Sequence, residues 1–268
     1  MSSRLKENAE IGIIGGTGVY NVDLLHDSKS AKVYTPYGAT SDDIIIGTFA
    51  GRRICFLPRH GGHHSIPPHA INFRANIWAM RELGVTRIIA PCAVGSLREE
   101  MKPGDLVVPD QFIDRTKNRA STFYDGGTVA HISTADPFCP QLRDLAISSG
   151  RSMGIKMHES GTQVCIEGPR FSTRAESRMF RSWEADTINM TLVPECVLAR
   201  EAQICYVPLA TVTDYDVWAN KPVSAEEVVQ TLRDNVAKTR GIIEKLIPLI
   251  PYERADCDCG TALAEAIY

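Results

Sequence analysis

The sequence has 268 residues, of which 44% are hydrophobic, and a formal net charge of −3. We expect one α/β domain over residues 1–268, because no linker or composition break interrupts the chain. The weak charge argues against nucleic acid, and no apolar run approaches the roughly 20 residues of a membrane helix. The polar start, Met1 to Glu10, has no signal-peptide core, so we expect a cytoplasmic protein.

The stretch from Ile11 to Gly18 predicts a short buried strand that breaks into a glycine-rich turn. Glycines let backbone N–H groups approach an anion, and Thr17 adds a hydroxyl donor. A dinucleotide site would need a third glycine where this chain has Asn21. The turn therefore favours anion binding over a nicotinamide cofactor.

A second candidate anion site follows the strands predicted at Asp43 to Phe49 and Arg52 to Leu57. The loop after them holds four histidines, but it has no acid or cysteine and its spacings match no zinc pattern. We interpret Arg59 and His60 as donors at a strand end, since arginine suits phosphate. A solvated basic loop is the alternative.

The middle of the chain alternates between predicted helices and strands. A helix over Ala70 to Leu83 precedes a strand, Val85 to Ala90, that ends in a small-residue turn. Further strands are expected at Gly161 to Glu167, Asp186 to Thr191 and Ile204 to Val212. The remaining helices are expected at Gln141 to Met153, Thr173 to Trp183, Pro194 to Gln203 and Ser224 to Leu249. Thr173 and Glu176 form a capping-box pattern at one helix start.

The strand before Asp214 and Asp216 is the most informative stretch, because α/β proteins often place chemistry at the carboxyl end of a buried strand. Taken alone, a solvated acidic turn would explain these two acids equally well. Other strand ends supply glycine turns, basic groups and Phe171, an aromatic that could stack on a flat ligand. One pocket with a phosphate corner and a ring corner explains all of them.

Cysteine is the least decisive residue type in this chain. Six of the eight cysteines are scattered and are expected to be buried small hydrophobes. Cys257-Asp258-Cys259 differs because it lies in a polar C-terminal tail, residues 250–268. A lone C-x-C lacks the second ligand pair of a zinc site, so we expect no metal; a local disulfide or pairing with other cysteines remains open.

Several motifs, in this order, closely resemble the trimeric purine nucleoside phosphorylase superfamily and, within it, the 5′-deoxy-5′-methylthioadenosine phosphorylase family of the archaeal hexameric type. The resemblance runs from Ile11 to about Leu249 and rests on Ile11–Gly18, Arg59–Gly61, Gly95–Glu100, Asp110–Thr116, Ile166–Ser177, Asn189–Thr191 and Thr213–Asp216. It implies one α/β domain whose mixed central sheet partly closes as a barrel. It also implies trimers or disulfide-strengthened dimers of trimers, and no cofactor besides the co-substrate phosphate.

The resemblance also implies roles for individual residues. Phosphate would be held by Thr17, Arg59, His60, Cys92, Ala93 and Thr191, although the family commonly has Thr or Ser where this chain has Cys92. The purine and ribose would meet Phe171, Ser172, Met190, Asp214 and Asp216, and the 5′ end would meet His64, Ala225, Val228 and His131 of a neighbouring subunit.

The implied reaction is phosphorolysis of methylthioadenosine to adenine and 5-methylthioribose 1-phosphate, as in purine and methionine salvage. Asp214 would protonate adenine N7 and accept from its amino group, whereas 6-oxopurine phosphorylases have Asn there and Glu at the position of Ser172. The alternative is a broad purine nucleoside phosphorylase acting on adenosine, inosine and guanosine.

Overall fold

The computed structural model describes residues 7–16, 25–219 and 225–267. Eleven strands of this part of the chain form one sheet: β1 Ile11–Gly15, β2 His26–Ala31, β3 Ile44–Phe49, β4 Arg52–Pro58, β5 Arg87–Ser96, β6 Leu106–Val107, β7 Gln111–Arg115, β8 Met157–His158, β9 Thr162–Ile166, β10 Thr187–Asn189 and β11 Cys205–Asp214. Five α-helices accompany them: α1 Phe73–Glu82, α2 Pro140–Ser152, α3 Arg174–Ser182, α4 Leu192–Glu201 and α5 Ala225–Leu246.

The sheet branches at β5, which pairs in parallel with β1 and β11 and antiparallel with β10. The main path runs β2-β3-β4-β1-β5-β10-β9-β7, and β11, β6 and β8 continue from β5 as a side branch. The mixed α/β class is thus as predicted. The expected partial closure into a barrel is not confirmed, because the hydrogen-bonded pairs of the described residues leave the sheet open.

The parallel strands bring several sequence motifs to one edge of the sheet. β1, β4, β5 and β11 run in the same direction, so their carboxyl ends lie together. β5 and β11 are nearly continuous buried apolar runs, as expected for central strands covered on both faces. The sequence thus buries the strand bodies and leaves the polar side chains that follow them at this edge.

Helix prediction succeeds to within a few residues. α2 begins one residue before the predicted start and α3 one residue after it, and both helices end one residue before their predicted ends. The predicted capping box is present: the Thr173 hydroxyl accepts from the Glu176 N–H, and the Glu176 carboxylate accepts from the Thr173 N–H. Ser224, the expected cap of α5, lies outside the described residues.

The C-terminal segment packs against the body of the protein. The Arg254 guanidinium donates to the Gln203 carbonyl at 2.5 Å, and Ala130 forms a β-bridge with Ile267. All eight cysteines are free thiols, so the expected disulfides are not confirmed. Among the described residues, no helix has the length and apolar character needed to cross a membrane.

Candidate active site

A cavity of about 660 Å³ opens at the shared carboxyl edge of the strands. It contains most of the residues that the sequence singled out: Arg59, His60, His64, Cys92, Ala93, Phe171, Ser172, Met190, Thr191, Asp214 and Asp216. Thr17 and the side chains of Ala225 and Val228 lie outside the described residues. His131 does not line this cavity; its N–H donates to the carbonyl of Ala266, in the C-terminal segment.

Arg59 is anchored by protein groups rather than presented as an open fork. Its Nε and Nη2 atoms bind the two carboxylate oxygens of Glu195 at 2.7 and 2.8 Å, and the pair is buried. The Ile14 and Pro91 carbonyls accept two further N–H groups at 2.7 and 3.1 Å. Because a guanidinium has five N–H donors, one at Nη1 has no partner among the described residues. Arg59 can therefore offer an anion one hydrogen bond, because Glu195 occupies the bidentate face of the guanidinium.

His60 is held as a neutral ring. Burial, together with the nearby Arg59 charge, lowers the pKa of His60 to about 4. Its Nδ1 lies 2.9 Å from the Ile66 carbonyl, which can only accept, so Nδ1 carries the proton. Nε2 of the neutral ring is then an acceptor, which suits a protonated phosphate oxygen or a hydroxyl. In this form His60 would accept from a phosphate rather than donate to it, which differs from the donor role expected from the sequence.

Three further groups can complete an anion-binding corner. Ala93 follows Cys92 in β5 and lines the cavity, and burial raises the pKa of the Cys92 thiol to about 11. This thiol stays protonated at neutral pH and is a weak donor. Thr191 lines the cavity just before α4, and its side chain makes no capping hydrogen bond. Val193 has an extended backbone, so regular helical turns begin only after it, and Thr191 can offer an anion its hydroxyl but no helix amino end.

Asp214 is placed by an irregularity in β11. The register against β5 shifts between Val212 and Asp214, and such bulges re-aim side chains near active sites. The Thr213 hydroxyl donates to Asp214 Oδ2 at 2.7 Å, and the Asp216 N–H donates to Oδ1 at 2.7 Å. Burial raises the pKa of Asp216. Asp216 thus orients Asp214 through its backbone, which needs no particular side chain.

The ring corner combines exposed apolar surface with an unused hydroxyl. Phe171 remains 42% exposed although it lines the cavity, so its ring is available for packing. Met190 packs closely against Gly168: a β-carbon added to this glycine would lie 2.6 Å from the Met190 sulfur. The buried Ser172 hydroxyl has no hydrogen-bond partner among the described residues. A flat ligand could pack on Phe171 and bind Ser172.

Sequence reasoning missed two parts of this cavity. Asn189, whose buried amide lies beside the Cys92 thiol, lines it next to Met190. α5 also contributes Arg233, Asn235, Val236 and Thr239. A helical period of three to four residues, continued from Ala225 and Val228, would have identified positions 235 and 239. Nothing in the local pattern around Asn189 distinguishes a cavity amide from a core amide.

Comparisons with known proteins identify the family of this chain. Residues 10–248 match the profile described as Phosphorylase superfamily. An S-methyl-5′-thioadenosine phosphorylase of Thermofilum pendens is 59% identical over 261 residues, covering 97% of this chain and 99% of the relative. A methylthioadenosine phosphorylase from an antarctic soil metagenomic library superposes with a TM-score of 0.94 at 46% identity, covering 98% of this chain and 93% of that one.

A variant of the Schistosoma mansoni adenosine/methylthioadenosine phosphorylase, solved with methylthioadenosine, superposes with a TM-score of 0.88 at 39% identity, covering 92% and 93% of the two chains. Identity at this level over nearly the full length of both chains decides membership as well as fold. The cavity, with its anion-binding corner and its aspartate, lies within the matched region. The chain belongs to the S-methyl-5′-thioadenosine phosphorylase family of the phosphorylase superfamily.

Proposed function

We propose that this enzyme cleaves 5′-deoxy-5′-methylthioadenosine with inorganic phosphate, giving adenine and 5-methylthioribose 1-phosphate for purine and methionine salvage. The observation that carries the proposal is one cavity holding both an anion-binding corner, at Arg59 and Thr191, and an oriented carboxyl group, Asp214. Phosphate supplies the nucleophile itself. We therefore propose no cofactor and no catalytic metal.

Asp214 is the proposed general acid. Breaking the glycosidic bond gives an oxocarbenium-like sugar, and adenine leaves readily only when N7 is protonated. The Thr213 hydroxyl and the Asp216 N–H fix the orientation of the Asp214 carboxyl group. A protonated Asp214 donates to N7 and accepts from the exocyclic amino group, whereas a 6-oxo group would meet a second acceptor.

The proposed phosphate site uses small contributions from several groups. One Arg59 N–H, the Thr191 hydroxyl, the Ala93 N–H and Thr17 donate, and His60 Nε2 accepts from a protonated oxygen. The weak Cys92 donor lowers phosphate affinity. At the 5′ end, Ala225 and Val228 are by residue type small and apolar and would give a hydroxyl no hydrogen bond, whereas the His64 ring, which lines the cavity, could bind one. Such apolar pockets reject an added hydroxyl by only roughly 100-fold, so adenosine should also be cleaved.

We further propose a cytoplasmic trimer or dimer of trimers in which His131 reaches the active site of a neighbouring subunit. Val129 and Ile267 support this, because they are 47% and 48% exposed and adjoin His131: Val129 precedes Ala130, and Ile267 is the bridge partner of Ala130. Exposed apolar residues grouped in this way mark association surfaces. Val129→Glu should lower the mass measured by light scattering, while Val129→Ala should keep it.

The activity is tested by assaying methylthioadenosine, adenosine and inosine with and without phosphate. We expect methylthioadenosine to be cleaved fastest, adenosine more slowly and inosine least, with no turnover when phosphate is omitted. Inosine turned over as fast as methylthioadenosine would establish the broad purine nucleoside phosphorylase instead. Equal rates without phosphate would identify a hydrolase.

A further inference from the structure

We propose that Arg119 is a positioning residue for both corners of the substrate cavity, an inference that rests on the proposed function. Arg119 is not among the described residues that line the cavity. Its Nη1 donates to the Val193 carbonyl and its Nη2 to the Glu167 carbonyl, each at 2.6 Å. Val193 closely follows Thr191 of the anion-binding corner, and Glu167 shortly precedes Phe171 of the ring corner. One side chain thus binds the two chain segments that carry the two corners.

Both carbonyl groups lie where regular structure ends. Val193 is buried and has an extended backbone, with φ −107° and ψ 131°, so its carbonyl is not aligned with the axis of α4. β9 pairs with its neighbours only as far as Ile166, so the Glu167 carbonyl lies beyond the ladder. Arg119 Nη2 also lies 3.4 Å from the Ile166 carbonyl. A charged donor therefore satisfies carbonyl groups that the sheet and the helix leave over.

The Arg119 side chain is itself held in one place. It is only 3% exposed, and its Nε lies 3.4 Å from Glu167 Oε2. The guanidinium stands over the Phe73 ring, 5.3 Å from the ring centroid. The Glu167 carboxylate also accepts from the Lys117 N–H at 2.8 Å, which fixes the chain just before Arg119. A planar guanidinium held in this way can bind two carbonyl groups at set positions, as a single ammonium cannot.

The two segments that Arg119 binds also pack on each other. Gly168, which follows Glu167, is the glycine whose added β-carbon would lie 2.6 Å from the Met190 sulfur. Met190 in turn adjoins Thr191. Close-packed groups transmit a displacement, so a shift of either segment moves the other. Loss of the Arg119 bonds should therefore weaken the binding of both methylthioadenosine and phosphate, whereas a residue that serves one corner affects one substrate.

Arg143 offers a matched control. It is also partly buried, and it donates to three backbone carbonyl groups, those of Val108, Pro109 and Glu159. Neither Arg143 nor the three residues that it binds are among the described residues that line the cavity. A purely structural loss of guanidinium–carbonyl bonds should therefore look alike in variants of Arg119 and Arg143.

Steady-state kinetics of Arg119→Lys and Arg143→Lys, with each substrate varied in turn, test the role. Both variants keep the charge and should unfold at lower temperature than the unmutated protein. We expect Arg119→Lys to raise the KM for phosphate and the KM for methylthioadenosine roughly tenfold each. Arg143→Lys should change neither KM by more than about twofold. Unchanged KM values in Arg119→Lys, a rise for one substrate only, or equal rises in Arg143→Lys would overturn the proposal.

A milder variant covers the case in which Arg119→Lys does not fold. Glu167→Gln removes the carboxylate beside Arg119 Nε, at a side chain that is 22% exposed, and leaves the carbonyl groups in place. Both KM values should rise by similar, smaller factors, and two unchanged KM values would overturn the proposal. Failure of the proposed function is seen separately, because the unmutated protein would then show no phosphate-dependent cleavage of methylthioadenosine.

Discussion

Glu195 holds Arg59 in a buried, bidentate ion pair at the base of the anion-binding corner, with N–O distances of 2.7 and 2.8 Å. The Tyr206 hydroxyl donates to the same carboxylate at 2.8 Å. Burial disfavours a charged guanidinium, but the Glu195 charge and hydrogen bonds raise the pKa of Arg59. Arg59 therefore keeps a fixed charge and a fixed orientation at the cavity wall, which makes Glu195 a positioning residue for the proposed phosphate site.

Glu195→Gln should weaken phosphate binding more than nucleoside binding. The new amide N–H₂ group faces an Arg59 donor, so one half of the bidentate pair is lost and the guanidinium shifts. We expect the KM for phosphate to rise roughly tenfold, equivalent to about 1.4 kcal/mol, with the KM for methylthioadenosine nearly unchanged. Steady-state kinetics with each substrate varied in turn measure this difference.

Glu201→Gln is the matched control, because Glu201 is also buried on α4 but binds Thr122 and the Phe123 N–H instead. This variant should lose stability without a selective effect on phosphate. If Glu195→Gln raised both KM values equally, or only lowered the melting temperature, Glu195 would have a structural role alone.

Asp214→Asn should reduce turnover of adenine nucleosides by about 100- to 10,000-fold, because the general acid is removed. The loss should be smaller for inosine, since an amide can donate to a 6-oxo group. The ratio of inosine to methylthioadenosine turnover is the decisive measurement. An unchanged ratio would show that another residue recognises the base.

Asp216→Asn is the informative comparison for Asp214. The bond from Asp216 to Asp214 comes from the backbone N–H, so the substitution leaves it in place. We expect a smaller loss of turnover than in Asp214→Asn. An equal loss would place the proton transfer, or its sharing, on the Asp216 carboxyl group.

The elements of the fold were largely predictable because their signals are local. Apolar runs locate β5 and β11, and the Thr173–Glu176 capping box fixes the start of α3. The branch at β5 was not predictable, since it depends on which of several similar strands pair across long sequence distances. The barrel closure implied by family resemblance is likewise a property of pairing rather than of any segment.

The candidate site shows the same division. Residue types at strand ends identified Arg59, His60 and Asp214 as cavity residues. The hydrogen-bond partners of these side chains could not be predicted from the sequence, because Glu195 lies 136 positions from Arg59 and the Ile66 carbonyl belongs to a loop. These partners decide which hydrogen bonds remain for a ligand. Arg59 keeps one N–H donor, and His60 offers an acceptor nitrogen.

Cys92→Ser should strengthen phosphate binding. The Cys92 thiol has a pKa of about 11 and stays protonated, so it offers only a weak S–H donor. A hydroxyl of similar size is a better donor, and one neutral hydrogen bond contributes about 1 kcal/mol. We expect the KM for phosphate to fall roughly fivefold. Cys55→Ser, a buried change outside the cavity, should leave that KM unaltered, and an unaltered KM in Cys92→Ser would exclude contact with phosphate.

His60 should make stability depend on pH between about 6.5 and 4. Its pKa falls from 6.5 to about 4 on folding, because burial and the Arg59 charge disfavour the imidazolium. In this window the unfolded chain binds a proton that the folded chain does not, so acid favours unfolding. Above pH 6.5 the ring is neutral in both states, so His60 does not lower the free energy of unfolding. As the pH falls from 6.5 to 4, this residue lowers the free energy of unfolding by about 3 kcal/mol at most.

Denaturant unfolding of His60→Gln across this pH range measures the effect. As the pH decreases, the free energy of unfolding of the variant should fall less steeply than that of the unmutated protein, because the variant lacks the His60 ring. His69→Gln, at an exposed histidine that follows the same loop, should keep the original slope. Parallel pH profiles for the unmutated protein and His60→Gln would show that His60 titrates alike in the folded and unfolded chains, and the neutral, acceptor role assigned to it at the phosphate site would then be wrong.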